Sequence, residues 1–150
     1  MINENLKMSG KYFVVLYGAN GEIKEQRSGF NVVTTVGKEF LSSFLNSAVA
    51  GASTFTARYM AIGTNDVAES ASDTALGTEV ARHTATASYI SGQIFQLKAT
   101  FATGLGTGAI TEYGVFSSSS AGTMLSRDTE AAINKGASDT LTVTWQLTIS

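Results

Sequence analysis

The sequence predicts a mainly β chain, an antiparallel β-sandwich of about seven or eight strands with one short α-helix. Three observations predict it. In residues 139–149, Leu141, Val143, Trp145, Leu147 and Ile149 alternate with Thr140, Thr142, Thr144, Gln146 and Thr148, the period of a strand with one buried face. Turn residues recur between short apolar runs, notably Asn20-Gly21 and Ser91-Gly92, in a chain with 15 Gly and no Pro. One stretch alone has helical spacing: Val36, Phe40 and Phe44, widened by Leu41 and Leu45.

Residues 11–17 are dense in aromatic and β-branched side chains and read as the first strand. Asn20-Gly21 suits the positive φ angles of a type I′ turn, so the chain is expected to return along 22–30, whose polar alternation suggests an exposed edge. The helix is expected over 36–47, with Thr34 or Thr35 capping its first turn. A short apolar strand covers 58–63, and 65–74, rich in Asp, Ser and Ala, reads as a solvated loop. Residues 78–90 are expected to pair with 93–101 through Ser91-Gly92, with Phe95, Leu97, Ala99 and Phe101 on one face. A glycine turn at 103–108 leads to strands at 109–116 and 123–129, and the alternating strand 139–149 closes the chain.

Length and composition narrow the function. The 150 residues suit one domain, with residues 1–9 as a polar N-terminal arm and 10–150 as a single β-rich domain. Only 15% of residues are charged, against about 25% in an average chain. Surface must therefore be covered by Ser, Thr, Ala and Gly, or by a partner. The net charge of −2 and the absence of any Lys/Arg run speak against a nucleic-acid binder. No stretch approaches the ~20 apolar residues of a membrane span, and the start is unlike a signal peptide. The expectation is a chain made in the cytoplasm.

Catalysis needs groups that titrate or attack, and the sequence supplies few in useful groupings. Without cysteine and with one histidine, His83, neither a triad nor a zinc site is expected, and His83 reads as an ordinary sheet residue. Asp66, Glu69 and Asp73 do not match the spacing of a Ca²⁺ loop. The glycines at 104–108 lack the Gly-Lys-[Ser/Thr] ending of a phosphate-binding loop. No cofactor, metal or small-molecule substrate is expected. Glu112 and Arg127 stand out. If Phe116 pairs with Thr123, they face each other across a hairpin, as an ion pair fixing its register or as a catalytic acid with its orienting partner. The structural reading is preferred, because no second carboxylate or nucleophile is grouped beside them.

Several stretches together carry a resemblance. They are Asn31-Val32-Val33-Thr34-Thr35-Val36-Gly37-Lys38, Tyr59-Met60-Ala61-Ile62-Gly63-Thr64 and Asp73-Thr74-Ala75-Leu76-Gly77-Thr78-Glu79-Val80-Ala81-Arg82. Further on come Gly108-Ala109-Ile110-Thr111-Glu112-Tyr113-Gly114-Val115-Phe116, Gly122-Thr123-Met124-Leu125-Ser126-Arg127, Asn134-Lys135-Gly136 and Asp139-Thr140-Leu141-Thr142-Val143-Thr144-Trp145. In order and spacing the chain resembles small virion structural proteins of tailed bacteriophages, of decoration, head-fibre or tail-associated type. The Ile-Thr-Glu-x-Gly-x-Phe segment is also similar to one in tail-collar fibre proteins.

The resemblance implies a place in a virion, in many copies, and no catalytic residues. The leading expectation is a capsid decoration (cement) protein on the capsid surface that binds the major capsid protein and copies of itself, most plausibly as a trimer. Its expected contacts are Met1, Ile2, Asn3, Leu6 and Met8 of the arm, with Tyr12 and Tyr17 of the first hairpin. The alternatives are a tail- or neck-associated fibre or adaptor protein, and a host-surface glycan-binding module using loop aromatics such as Phe55.

Overall fold

The computed structural model describes Asn5, residues 7–49 and residues 58–150, with backbone alone at 44–49. The chain is mainly β with one short helix, as its alternation predicts. Its elements are β1 (Met8–Tyr17), β2 (Ile23–Val33), α1 (Thr35–Val49), β3 (Tyr59–Gly63), β4 (Glu79–Thr84), β5 (Thr86–Ser91), β6 (Ile94–Phe101), β7 (Gly108–Phe116), β8 (Met124–Lys135) and β9 (Thr140–Ile149). Among the described residues the strands number nine rather than seven or eight. They form one curled antiparallel sheet in the order β4-β3-β7-β8-β2-β1-β9-β6-β5.

The extra strand comes from residues 78–90. They are not one strand paired with 93–101: β4 pairs with β3, and β5 pairs with β6. The chain changes partner at Ala85, whose N–H donates to the Arg58 carbonyl at 2.6 Å. β4 and β5 are thus consecutive in sequence and yet the two outer edges of the sheet. That connection forces the sheet to curl until its halves face each other. The apolar faces of β1, β6 and β9 (Tyr12, Val14, Leu97, Val143, Trp145) and of β3, β7 and β8 (Met60, Ile62, Tyr113, Val115, Ile133) then share one core. The Tyr12 and Tyr113 rings meet across it, centroids 5.9 Å apart.

The strand periodicity follows from that core. In β9 the Leu/Val/Trp set is buried and the Thr/Gln set half-exposed. Phe95 meets Trp145 edge to face, and Leu97, Ala99 and Phe101 are buried beyond it. β1 starts at Met8, and Lys7 exchanges backbone hydrogen bonds with Ser150, so residues 7–9 of the expected arm belong to the sheet.

The first hairpin differs from the expected type I′ turn. Gly21 donates to the Gly18 carbonyl at 2.9 Å, and only Gly21, at φ 81°, has a positive φ in this turn. Five residues, 18–22, therefore lie between the strands, and the Asn-Gly pair serves a longer turn. β2 is not a simple edge either. It ladders with β1 along its length, and with β8 at Val32 and Val33 only.

Thr34 caps α1, its hydroxyl accepting from the Gly37 N–H at 3.0 Å. Phe40 and Leu41 pack against the core. Phe44 and Leu45 of the expected stripe lie outside the side chains described. Among the described residues, no helix is long and apolar enough to cross a membrane.

Candidate functional site

The second face of β3, β7 and β8 holds the densest polar cluster. Glu112 is fully buried and Arg127 3% exposed. The Arg127 Nη2 and Nε donate to Glu112 Oε2 at 2.9 and 3.1 Å. The pairing register is shifted two residues from the expected one: Glu112 stands opposite Thr129, and Arg127 opposite Gly114. Irregularities between Ile110 and Glu112 and between Val115 and Phe116 move the frame. The two side chains still meet because a shift of two keeps both on the same face.

The loop 64–78 closes over this pair. Glu112 accepts the backbone N–H groups of Gly77 at 2.9 Å, Thr78 at 2.7 Å and Asn65 at 3.3 Å. Arg127 donates to Asp73 Oδ2 at 2.9 Å and to the Val67 carbonyl at 3.0 Å. Burial works against the guanidinium charge, and the hydrogen bonds to Asp73 and Glu112 outweigh it, so Arg127 stays charged above its ordinary range. The loop is therefore a fitted cover rather than the plain solvated segment its composition suggests. Asp73 is committed to Arg127, and Glu69 to the Thr129 hydroxyl.

Two glycines make room for the cover. A Cβ on Gly63 would stand 2.4 Å from Glu112 Oε1, and one on Gly114 would stand 2.9 Å from both Leu76 and Phe116. Leu76 fills that space with Ala61, Phe116 and Met124 as a second small apolar cluster. Beside it, Arg82 lies 3.6 Å above the Phe116 ring, pairs with Glu79, and donates to the Ser118 and Ala121 carbonyls.

A third buried charge lies at the other end of β8. Lys135, 1% exposed, donates to the Ala102 carbonyl, and burial pushes its ammonium below the usual range. Asp139 is held low by its hydrogen bond from Lys24, with help from the Gly136 N–H. Stretches 59–64, 73–82, 108–116 and 122–127 of the resemblance thus converge on one clasp, and 134–139 on a second. Glu112 and Arg127 have their polar atoms committed to the chain's own backbone and side chains, which is what holding a loop requires.

The expected contact residues fare differently. Tyr12 is 1% exposed and its hydroxyl meets Ser126 Oγ at 3.1 Å, so it belongs to the core and is closed to a partner. Met8 packs against the core, and Tyr17 is half-buried on the outer face. Met1, Ile2, Asn3, Leu6 and Phe55 lie outside the described residues. Trp145 is buried, whereas Phe30 (76% exposed) and Tyr89 (72%) are surface aromatics that the strand pattern did not single out.

His83 is exposed on β4, its ring 6.3 Å from Phe101. It borders an open groove of about 400 Å³ with Thr84, Thr86, Ser88, Gln96, Lys98 and Thr100. None of these side chains is buried, so none is held in a fixed aim at a ligand. No group of three or more His, Cys, Asp or Glu among the described residues is placed to hold a metal ion. No family model, curated protein or solved structure matches the chain.

Proposed function

We propose that this chain is a structural protein of a tailed-bacteriophage virion, a capsid decoration protein that acts by assembly and not by catalysis. The reading rests on the resemblance carried by the stretches above. One structural observation supports it: the outer face of β5, β6, β9, β1 and β2. Rows such as Thr86–Lys98–Thr144–Phe13–Ser28 and Ser88–Gln96–Gln146–Lys11–Phe30 cross five strands there. No Asp or Glu stands in these rows, although the chain has 12 acidic residues. Among the described residues no strand or helix is layered over them.

Such a face suits docking. Hydroxyls and amides lose less on desolvation than charges do and can hydrogen-bond across an interface. Gln146 already bonds Gln96 at 2.8 Å, and Lys11 lies over the Phe13 and Phe30 rings, so part of the surface is preorganised. Lys11 and Lys98 give it positive charge that fits an acidic neighbour. Binding the assembled shell and not the dissociated subunits would stabilise the shell by linkage.

Copy number per virion tests the proposal. Decoration requires hundreds of copies on the shell. A second reading, a tail- or neck-associated adaptor, draws on the similarity of residues 110–116 to tail-collar fibre proteins and requires a few copies to a dozen. Absence from purified virions would overturn both.

A further inference from the structure

We infer that the seam between β2 and β8 is a proton-controlled latch, closed while the Asp128 carboxyl is protonated and loosened when it ionises. The seam is a weak point of the ladder. β2 bonds to β8 through Val32↔Arg127 and Val33↔Ser126 alone, and then continues without a second ladder as far as Ile23. Side chains join the two strands over that length instead. Gly29 faces Glu130 and Asp128: a Cβ there would lie 2.1 Å from Glu130 Oε1 and 3.5 Å from Asp128 Oδ2. The far end is tied by the Lys24–Asp139 ion pair.

Buried polar atoms without a partner collect at this seam. Among the described residues these atoms are Asp128 Oδ2, the Tyr113 hydroxyl and Arg27 Nε; both amide atoms of Asn31, against Gly10 of β1, and Trp145 Nε1 are unpartnered elsewhere. Asp128 is 2% exposed and Tyr113 fully buried. Groups of this kind are uncommon in folded chains and each costs free energy.

The charges around Asp128 come from every neighbouring element. β8 supplies Glu130 and the loop 64–78 supplies Glu69, while Glu25 and Arg27 of β2 act on the neighbouring Tyr113. Arg27, the one cation in this set, already pairs with Glu25. β1 and β7 supply Tyr12 and Tyr113, whose phenols burial pushes up and keeps neutral. An ionised Asp128 would therefore face two like charges in a dry site, where the cation of this set is already ion-paired with Glu25. Burial first, then Glu130 and Glu69, push its carboxyl up to about 7, against a hydrogen bond from the Thr129 N–H that favours the charged form. Parting β2 from β8 brings water to the carboxylate with little loss of backbone bonding, because two ladder pairs and the Thr34 N–H bond to the Leu125 carbonyl are the backbone ties there.

Amide hydrogen exchange of the full chain at about pH 6 and about pH 8.5, corrected for intrinsic exchange, tests the latch. At the higher pH, amides of β2 and of residues 128–134 are expected to lose about tenfold protection relative to β1 and β9 amides. Asp128→Asn, which mimics the protonated form, is expected to keep them protected at both. Equal protection of the wild-type seam at both pH values would overturn the inference, as would the same loss in the Asn variant. If that variant does not fold, carbon NMR titration of the wild-type carboxyl decides: a midpoint near 7 supports the latch, and an ordinary carboxylate midpoint overturns it.

Discussion

Glu112 and Arg127 show what a single buried charge does here. Removing one partner strands the other in a site closed by residues 64–78, so Glu112→Ala is expected to cost about 3–5 kcal/mol by equilibrium denaturation. A loss below about 1 kcal/mol would mean that water reaches Arg127 without cost. Asp128 gives a second residue-scale prediction. The unfolded chain releases this proton near 3.8 and the folded chain near 7, so the folded state binds more protons between them. Its contribution is full below about 3.8, is lost progressively as pH rises, and is gone above about 7. Denaturation midpoints from acid to alkaline pH should show that decline in the wild type and a shallower one in Asp128→Asn. The Glu112–Arg127 pair was legible in the sequence because opposite charges fall on one face of a single hairpin. Asp128 was legible only in part. Alternation puts Arg127 and Asp128 on opposite faces of β8, but that both faces are buried follows from the curl of the sheet on the Asp128 side and from the loop 64–78 on the Arg127 side.

Elements were legible where one face alternates cleanly, as in β9 and β6, and where a hydroxyl precedes an apolar helical stripe, as at Thr34. The division of residues 78–90 was not. The β pattern runs across Ala85 without a break signal, and the exchange of partners there depends on where β3 and β6 lie. The two-residue shift between β7 and β8 was hidden for a similar reason, since a net shift of two leaves a pattern of period two in phase. The loop 64–78 read as solvated because its own residues are polar, while the charges that bind it lie on β7 and β8. Its dependence on close packing can be measured. Gly114→Val would drive a branched side chain into Leu76 and Phe116 and is expected to cost at least about 1–3 kcal/mol. Exchange protection should fall first at residues 65–78 while the β1–β9 ladder stays protected. Uniform loss along the chain would show that the loop is no separate unit.

At the scale of the whole molecule, the curl gathers most of the buried apolar side chains among the described residues in one core and leaves a five-stranded Thr/Gln/Lys face outside. The sequence carried the alternation that makes this face but not its extent, because which strands lie side by side is a property of topology. The face should matter to assembly and not to folding. Lys98→Glu is expected to weaken association with an acidic neighbour while leaving stability within about 0.5 kcal/mol of wild type. Sedimentation of the purified chain with the proposed partner, a capsid shell, beside a denaturation curve, would separate the two effects. The proposed decoration role is tested most directly by imaging purified virions. Hundreds of ordered copies are expected on the shell, each seated through the face of β5, β6, β9, β1 and β2. Virions without the chain, or with that face turned to solvent in every copy, would contradict it.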